Sequence, residues 1–257
     1  MALEPKLLSG QTATATVASG EKFVKVDGNG NTTLITLDNL RSQLLGGQSL
    51  NALEDGIFIM THRKSDNYPV MYKPHLWTAQ QNAGEIADGV VVVEGGKVLV
   101  VAPTECDSAG LLWSSEAVSG GGVTTSDRVT AYSDWAGKTN TAAQIQKTQC
   151  QGASYAPGFC AAYSRTNANG QGLTAGKWWL PSLGEMMMIY ANMTKINYAL
   201  SLISGAQQLA ETWYWTSTEC GATLAWFLYL SGGFMNGLTK ASGSGRGRVR
   251  AVSAFIG

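Results

Sequence analysis

The stretch Lys177 to Tyr190, KWWLPSLGEMMMIY, decides the fold. Pro181 precedes a serine that can cap a helix, and Glu185, three residues after Ser182, completes a capping box. From there Met186, Ile189, Met193, Ile196, Leu200 and Ile203 recur at intervals of three and four, which predicts one helix that ends at Gly205. A methionine-rich stripe at this spacing is core packing far more often than a cofactor or peptide groove, and we read it as core.

Beyond Trp213 the period changes. WYWTSTE (213–219), ATLAWFLYL (222–230), GFMNG (233–237) and RVRAVSAFI (248–256) read as short strands, broken at Gly232-Gly233 and between Gly243 and Gly247. Upstream, IFIM from Ile57 opens a main domain. There GVVVV and KVLVV flank Gly95-Gly96 as a hairpin of β-branched runs. Between Asp134 and Arg165 two short helical patterns surround Ala142-Ala143 with Ile145, and Phe159 to Tyr163, separated by Gly152 and Pro157. The class is α+β with a terminal antiparallel sheet.

The N-terminal part reads differently. Lys22 to Val26 and Thr32 to Leu37 flank Asp27-Gly28-Asn29-Gly30-Asn31, a hairpin signature. Thr36 can then cap a helix in which Leu37, Leu40 and Leu44 share one face before Gly46-Gly47 stops it. A hairpin and a one-sided helix fall below the size that usually folds alone, so residues 1–48 are expected to pack on a partner chain or larger assembly, as an attachment or oligomerisation module, with residues 49–257 as the main domain.

Composition narrows the function. Eighteen Lys and Arg balance eighteen Asp and Glu, which removes the electrostatic footprint of nucleic-acid and anionic-membrane binders, so neither partner is expected. Charged residues are 14% of the 257, against roughly 25% in an ordinary domain, while 31 glycines and 8 tryptophans indicate a stiff, loop-rich globule. No run approaches the roughly 18 apolar residues of a membrane span. Glu4 and Pro5 stand where a signal peptide would carry its basic start and apolar run, so export by the general secretory route is not expected.

Catalytic signatures are missing. No serine sits in GxSxG, the phosphate-cradling GxxxxGK[ST] is absent, and the glycine-rich run near Gly245 lies between strands. His62, His75 and Asp66 flank one Pro-containing stretch but have no nucleophile or metal motif beside them. Cys106, Cys150, Cys160 and Cys220 lack CxxC spacing and only two histidines exist, so no metal is expected. We read the cysteines as buried free thiols, with a Cys150–Cys160 disulfide as the alternative.

In this order, KWWLPSLGEMMMIY, YWTSTE, the Trp-bearing strand AWFLYL, a glycine turn and RVRAVSAF resemble the variable proteins of diversity-generating retroelements, which use a C-type-lectin fold. The resemblance covers about the last eighty residues and implies that Trp179 to Ser182 starts the core helix, Tyr214 to Glu219 opens a variable region of about 218–248, and Arg248 to Phe255 closes it. In that family asparagine AAY codons become NNY codons, which never encode Trp, Met, Lys, Gln or Glu. The positions then expected to vary and bind ligand are Cys220, Gly221, Leu224, Phe227, Gly232, Phe234, Asn236, Gly237, Leu238, Thr239, Ala241 and Gly247, with Glu219, Trp226, Met235, Lys240 and Arg248 as scaffold. Apolar Leu224, Phe227, Phe234 and Leu238 in a turn-rich stretch are expected to form an exposed patch, with Phe227 and Phe234 as aromatic anchors.

The resemblance implies a phage receptor-binding protein of the tail-tip type. Such a protein would be a homotrimer on the virion, with other tail proteins and a bacterial cell-surface protein or glycan as partners, and with no cofactor, metal or catalytic residue. The N-terminal VKVDGNGNTTLITLDNLRSQL is similar to attachment segments of tail-fibre and tip proteins. Two alternatives are a variable adhesin displayed on the extracellular surface of a bacterium, and an enzyme of the lectin-fold, formylglycine-generating-like superfamily. The enzyme would need a reactive cysteine pair, whereas Cys220 lies in the variable stretch and Cys150 and Cys160 precede the core helix.

Overall fold

The computed structural model describes residues 22–26, 30–36, 54–243 and 245–255. The chain divides into two units, Met1–Ala52 and Leu53–Gly257. In the first, β1 (Lys22–Val26) and β2 (Thr32–Thr36) pair antiparallel with Lys22 opposite Thr36, the hairpin expected from the sequence. The helix expected over Leu37 to Leu44 lies outside the described residues.

The second unit is built on a six-stranded antiparallel sheet and a three-stranded one. Along the first, β4 (Pro69–Tyr72) borders β3 (Gly56–His62), followed by β5 (Gly89–Glu94), β6 (Lys97–Val101), β13 (Val252–Ser253) and β9 (Trp178–Trp179). Glu94 pairs with Lys97 across a two-residue turn in which Gly95 and Gly96 have φ of 55° and 75°, left-handed values that favour glycine at both positions. In β5, Val90 and Val92 face one hydrophobic core and Val91 and Val93 the other. Both faces of this sheet are covered, which is why its strands read as unbroken apolar runs rather than as alternations.

The three-stranded sheet runs β10 (Trp213–Glu219), β11 (Leu224–Tyr229), β12 (Phe234–Thr239). It divides its side chains between the same two cores, with Tyr214, Trp226, Leu228 and Met235 in one and Trp215, Ala225 and Phe227 in the other. The C-terminal segment does not extend this sheet along its length. Arg248 makes a single parallel bridge to Tyr214, and the chain then enters the six-stranded sheet, where Val252 lies between Val101 and Trp179.

Among the described residues there are six helices: α1 (Pro74–Asn82), α2 (Arg128–Tyr132), α3 (Gly137–Gln144), α4 (Ala156–Ala162), α5 (Leu183–Ala191) and α6 (Met193–Ser201). Helices α1 and α2 lie outside the expected elements, although Pro74 opens α1 and Asp127 caps α2 by accepting from the Thr130 N–H. The two-stranded pair β7 (Arg165–Thr166) and β8 (Gly172–Leu173) completes the unit.

The expected single helix from Ser182 to Gly205 is two helices. Asn192, at φ −106° and ψ 8°, departs from helical geometry, and its side-chain amide donates to the Met188 carbonyl and to Glu94 at the tip of the β5–β6 hairpin. The apolar stripe survives the break, since Met186, Ile189, Ile196, Leu200 and Ile203 are all buried in one core.

The capping box at the start of α5 is present as read. Ser182 Oγ accepts from the Glu185 N–H, and Glu185 accepts from the Ser182 N–H at 2.8 Å and from Trp179 Nε1 at 3.1 Å. Burial pushes the Glu185 carboxyl up to about 7 from 4.5, with the charge of Asp134 adding to the effect and the bonds from Ser182 and Trp179 opposing it. The folded state therefore holds this proton more tightly than the unfolded chain. The stability it contributes is complete below about pH 4.5 and is lost as pH rises through 7. Glu185→Gln is expected to flatten the dependence of chemical-denaturation stability on pH over this window, and an unchanged slope would contradict the assignment.

Candidate functional site

The terminal sheet is locked at one end by two ionic side chains that are both fully buried. Lys240 Nζ lies 2.5 Å from Glu219 Oε2. The same ammonium donates to the carbonyls of Val118, Ala222 and Gly221 and stands 4.6 Å from the centre of the Trp113 ring. Glu219 in turn accepts from the Gly120 N–H at 2.8 Å and the Gly122 N–H at 2.9 Å. A Cβ on Gly120 would fall 2.6 Å from the Trp113 ring, and one on Gly122 2.8 Å from the Gln144 amide, so the loop reaches the carboxylate because it carries no side chains there.

The remainder of β10 uses buried polar side chains in the same way. Thr216 Oγ1 donates to the Trp226 carbonyl, Thr218 Oγ1 donates to Asp134 and accepts from the Leu183 N–H, and Gln144 donates to the Ser217 carbonyl. At the opposite edge Arg248 and Arg250 both reach Glu105, which also accepts from the Tyr214 hydroxyl. Glu219, Trp226, Met235 and Lys240, expected as scaffold, are all buried, and Arg248 is tied into the glutamate cluster.

On this frame the positions expected to bind ligand fall on two faces. Phe234, Asn236 and Leu238 share one face of β12 with Tyr229 and Phe227 of β11 and with Trp213. Phe234 is 55% exposed, Tyr229 38% exposed, and Asn236 is exposed beside them. The Trp213 and Phe227 rings meet edge to face at 5.2 Å, and Phe227 meets Phe234 at 6.2 Å. Cys220, Leu224, Gly237 and Thr239 belong to the other face and are half-buried, as are Gly221 and Ala241. Gly232 is exposed in the β11–β12 turn.

Two expected positions are corrected. Phe227 is not an exposed anchor. Only 8% of it is accessible, because strand β11 is covered on both faces and its alternate apolar residues enter different cores. Gly247 is buried as well. Its backbone pairs with Leu111, and a Cβ there would stand 3.0 Å from the Trp215 indole, which is itself held by a bond to the Leu111 carbonyl. The aromatic surface that does reach solvent adds Tyr229, which sequence reasoning missed because a tyrosine ending an apolar strand carries no sign of its facing.

The histidines do not converge. His62 is buried with Nδ1 2.6 Å from Asp88 Oδ2, His75 is exposed on α1, and Asp66 pairs with Arg63. Desolvation raises the Asp88 carboxyl, against the opposing bond and charge of His62. All four cysteines are free thiols, and burial raises each of them, Cys106 and Cys150 to about 11. Among the described residues no group of three or more His, Cys, Asp or Glu is placed to hold a metal ion, and no helix is long and apolar enough to cross a membrane. No family model, no curated protein and no solved structure matches the chain.

The geometry separates frame from surface by stability. Lys240→Met, which leaves Glu219 buried without a counter-charge, is expected to cost about 3–5 kcal/mol in urea denaturation, with part recovered in the Lys240→Met/Glu219→Leu double variant. Phe227→Ala should cost about 3–5 kcal/mol, against less than about 1.5 kcal/mol for Phe234→Ala. Equal losses for the two phenylalanines would show that the surface has been misassigned.

Proposed function

We propose that this chain is a phage host-recognition protein, a retroelement-diversified variable protein on a C-type-lectin scaffold, and that it binds a bacterial surface protein or glycan through the terminal sheet. Phe234 carries this reading: a large aromatic side chain stands more than half exposed on a strand that pairs with β11 and runs directly into the buried Lys240–Glu219 ion pair. An exposed aromatic on a rigid support is the usual form of a binding anchor. The exposed and half-exposed side chains on its face, Tyr229, Asn236 and Leu238, are uncharged.

The lectin assignment draws support from the three segments that carry the resemblance, which contact one another in turn. The Ser217 N–H bonds to the Pro181 carbonyl, the Trp215 N–H bonds to the Arg248 carbonyl, and Val252 pairs with Trp179. The helix start, the strand opening the variable region and the strand closing it thus form one closed framework around the residues between them. In this reading the protein is a homotrimer on the virion, the N-terminal unit attaches it to other tail proteins, and it catalyses no reaction.

Sequencing the coding segment for Thr218 to Arg248 across a natural population tests the proposal. Substitutions are expected in the first two bases of a fixed subset of NNY codons, including those of Gly221, Gly232, Phe234 and Asn236, with Glu219, Trp226, Lys240 and Gly247 constant. Uniform and mostly synonymous drift would refute diversification. Phe234→Ala should also lower phage adsorption to its host while the protein remains folded.

A further inference from the structure

Gly221, Gly232, Gly237 and Gly247 all fall among the positions expected to vary, yet their surroundings differ. A Cβ added to Gly221 or Gly232 meets no atom within 4 Å. At Gly247 the obstacle is the Trp215 ring, fixed by its own hydrogen bond. At Gly237 the obstacle is another surface residue. A Cβ there would lie 2.9 Å from Cys220 Sγ, 3.2 Å from Cys220 Cβ and 3.6 Å from Leu224 Cδ1. Gly237 is not among the glycines of positive φ, so its backbone accepts an ordinary side chain and space alone excludes one.

We propose that Cys220 and Gly237 form a single specificity element of the binding surface, in which the scaffold offers one shared volume that a side chain can fill from either position but not from both. Rotation of Cys220 about its Cα–Cβ bond would move Sγ away and leave a 3.2 Å approach to Cys220 Cβ, tighter than ordinary packing. A bulky residue at 237 is therefore relieved most fully by a residue at 220 that has no Cβ. With Cys220 reduced to glycine, the remaining neighbour is Leu224 at 3.6 Å, an ordinary van der Waals contact.

Cys220 lies in the turn between β10 and β11, whose chain brings it beside Gly237 of edge strand β12. Exchanging which position is occupied changes the shape of that one local volume while the buried frame stays fixed. The pair thus selects between two ligand shapes, whereas Gly221 and Gly232 vary independently. That use in ligand selection rests on the function proposed above; the steric exclusion does not.

A four-member cycle on the full chain tests the exclusion: the parent, Gly237→Val, Cys220→Gly and the double variant, melted under reducing conditions. Gly237→Val should lower Tm by about 3–10 °C, as overpacking does, and the same change made in the Cys220→Gly background should cost little or nothing. Equal losses in both backgrounds, or no loss in the parent, would overturn the proposal. If Gly237→Val does not fold, recovery of folding in the double variant supports the exclusion, and Gly237→Ala is carried through the same cycle for the measured shift. Natural variants report separately on the functional reading. Bulky residues should occur at 220 or at 237 and never together. Codons 220 and 237 that never vary would refute the selection role while leaving the thermal cycle to stand.

Discussion

The buried pair between Lys240 and Glu219 fixes the geometry on which the candidate surface depends. Removing two charges from water is costly, and an isolated pair rarely recovers that cost from its mutual attraction. Here the carboxylate also receives two backbone N–H groups, and the ammonium reaches three carbonyls and an aromatic face. An apolar pair of the same volume would take their partner from the Gly120 and Gly122 N–H groups and the Val118 carbonyl, so the interaction is best understood as a connector. It binds the 118–122 loop and the 220–222 turn to the ends of β10 and β12 at one point. In the proposed binding role, loops held in this way would lose little further conformational entropy on engaging a ligand, which favours affinity from a small contact area.

The buried polar row of β10 extends the same principle. Thr216, Ser217 and Thr218 are fully buried, yet their bonds run to Trp226, Pro181, Asp134 and Leu183, and so to the neighbouring strand, the helix start and the loop before α3. Directional bonds place these elements more narrowly than apolar packing would. Each unmatched member would leave a buried polar atom unsatisfied, so alternative arrangements are penalised. Changes in exposed side chains of β12 act on none of these atoms.

How much of this was legible in the sequence depended on the range of the interaction. The capping box and the methionine stripe are local patterns, and both were read correctly, as was the Gly95-Gly96 hairpin. The break at Asn192 was hidden because the apolar stripe continues through it, and the bond to Glu94 that accompanies the break joins residues 98 positions apart. Phe227 was misread for a different reason. In LAWFLY nearly every residue is apolar since both faces are covered, and a sequence without alternation gives no information about facing. Of the strand expected over 248–256 only Val252–Ser253 is one, and its sheet was not legible, since its neighbours Val101 and Trp179 are long-range partners.

Glycine is where sequence and structure diverge most. The abundance of glycine in this chain suggests turns, and Gly95 and Gly96 serve that role through positive φ. Gly120, Gly122 and Gly247 serve another, admitting a carboxylate, an amide or an indole to within contact of the backbone. Gly221 and Gly232 serve neither, since their Cβ positions are open. The first two groups are fixed by geometry and the third is not, although all three are one residue type within a single unit. The proposed diversification, in which a scaffold tolerates change at its surface, would require this separation. Positions that set the backbone have to be intolerant of side chains, so that positions free of the backbone's demands can accept them. Gly237 lies between the two groups, because what excludes its side chain is itself a replaceable surface residue.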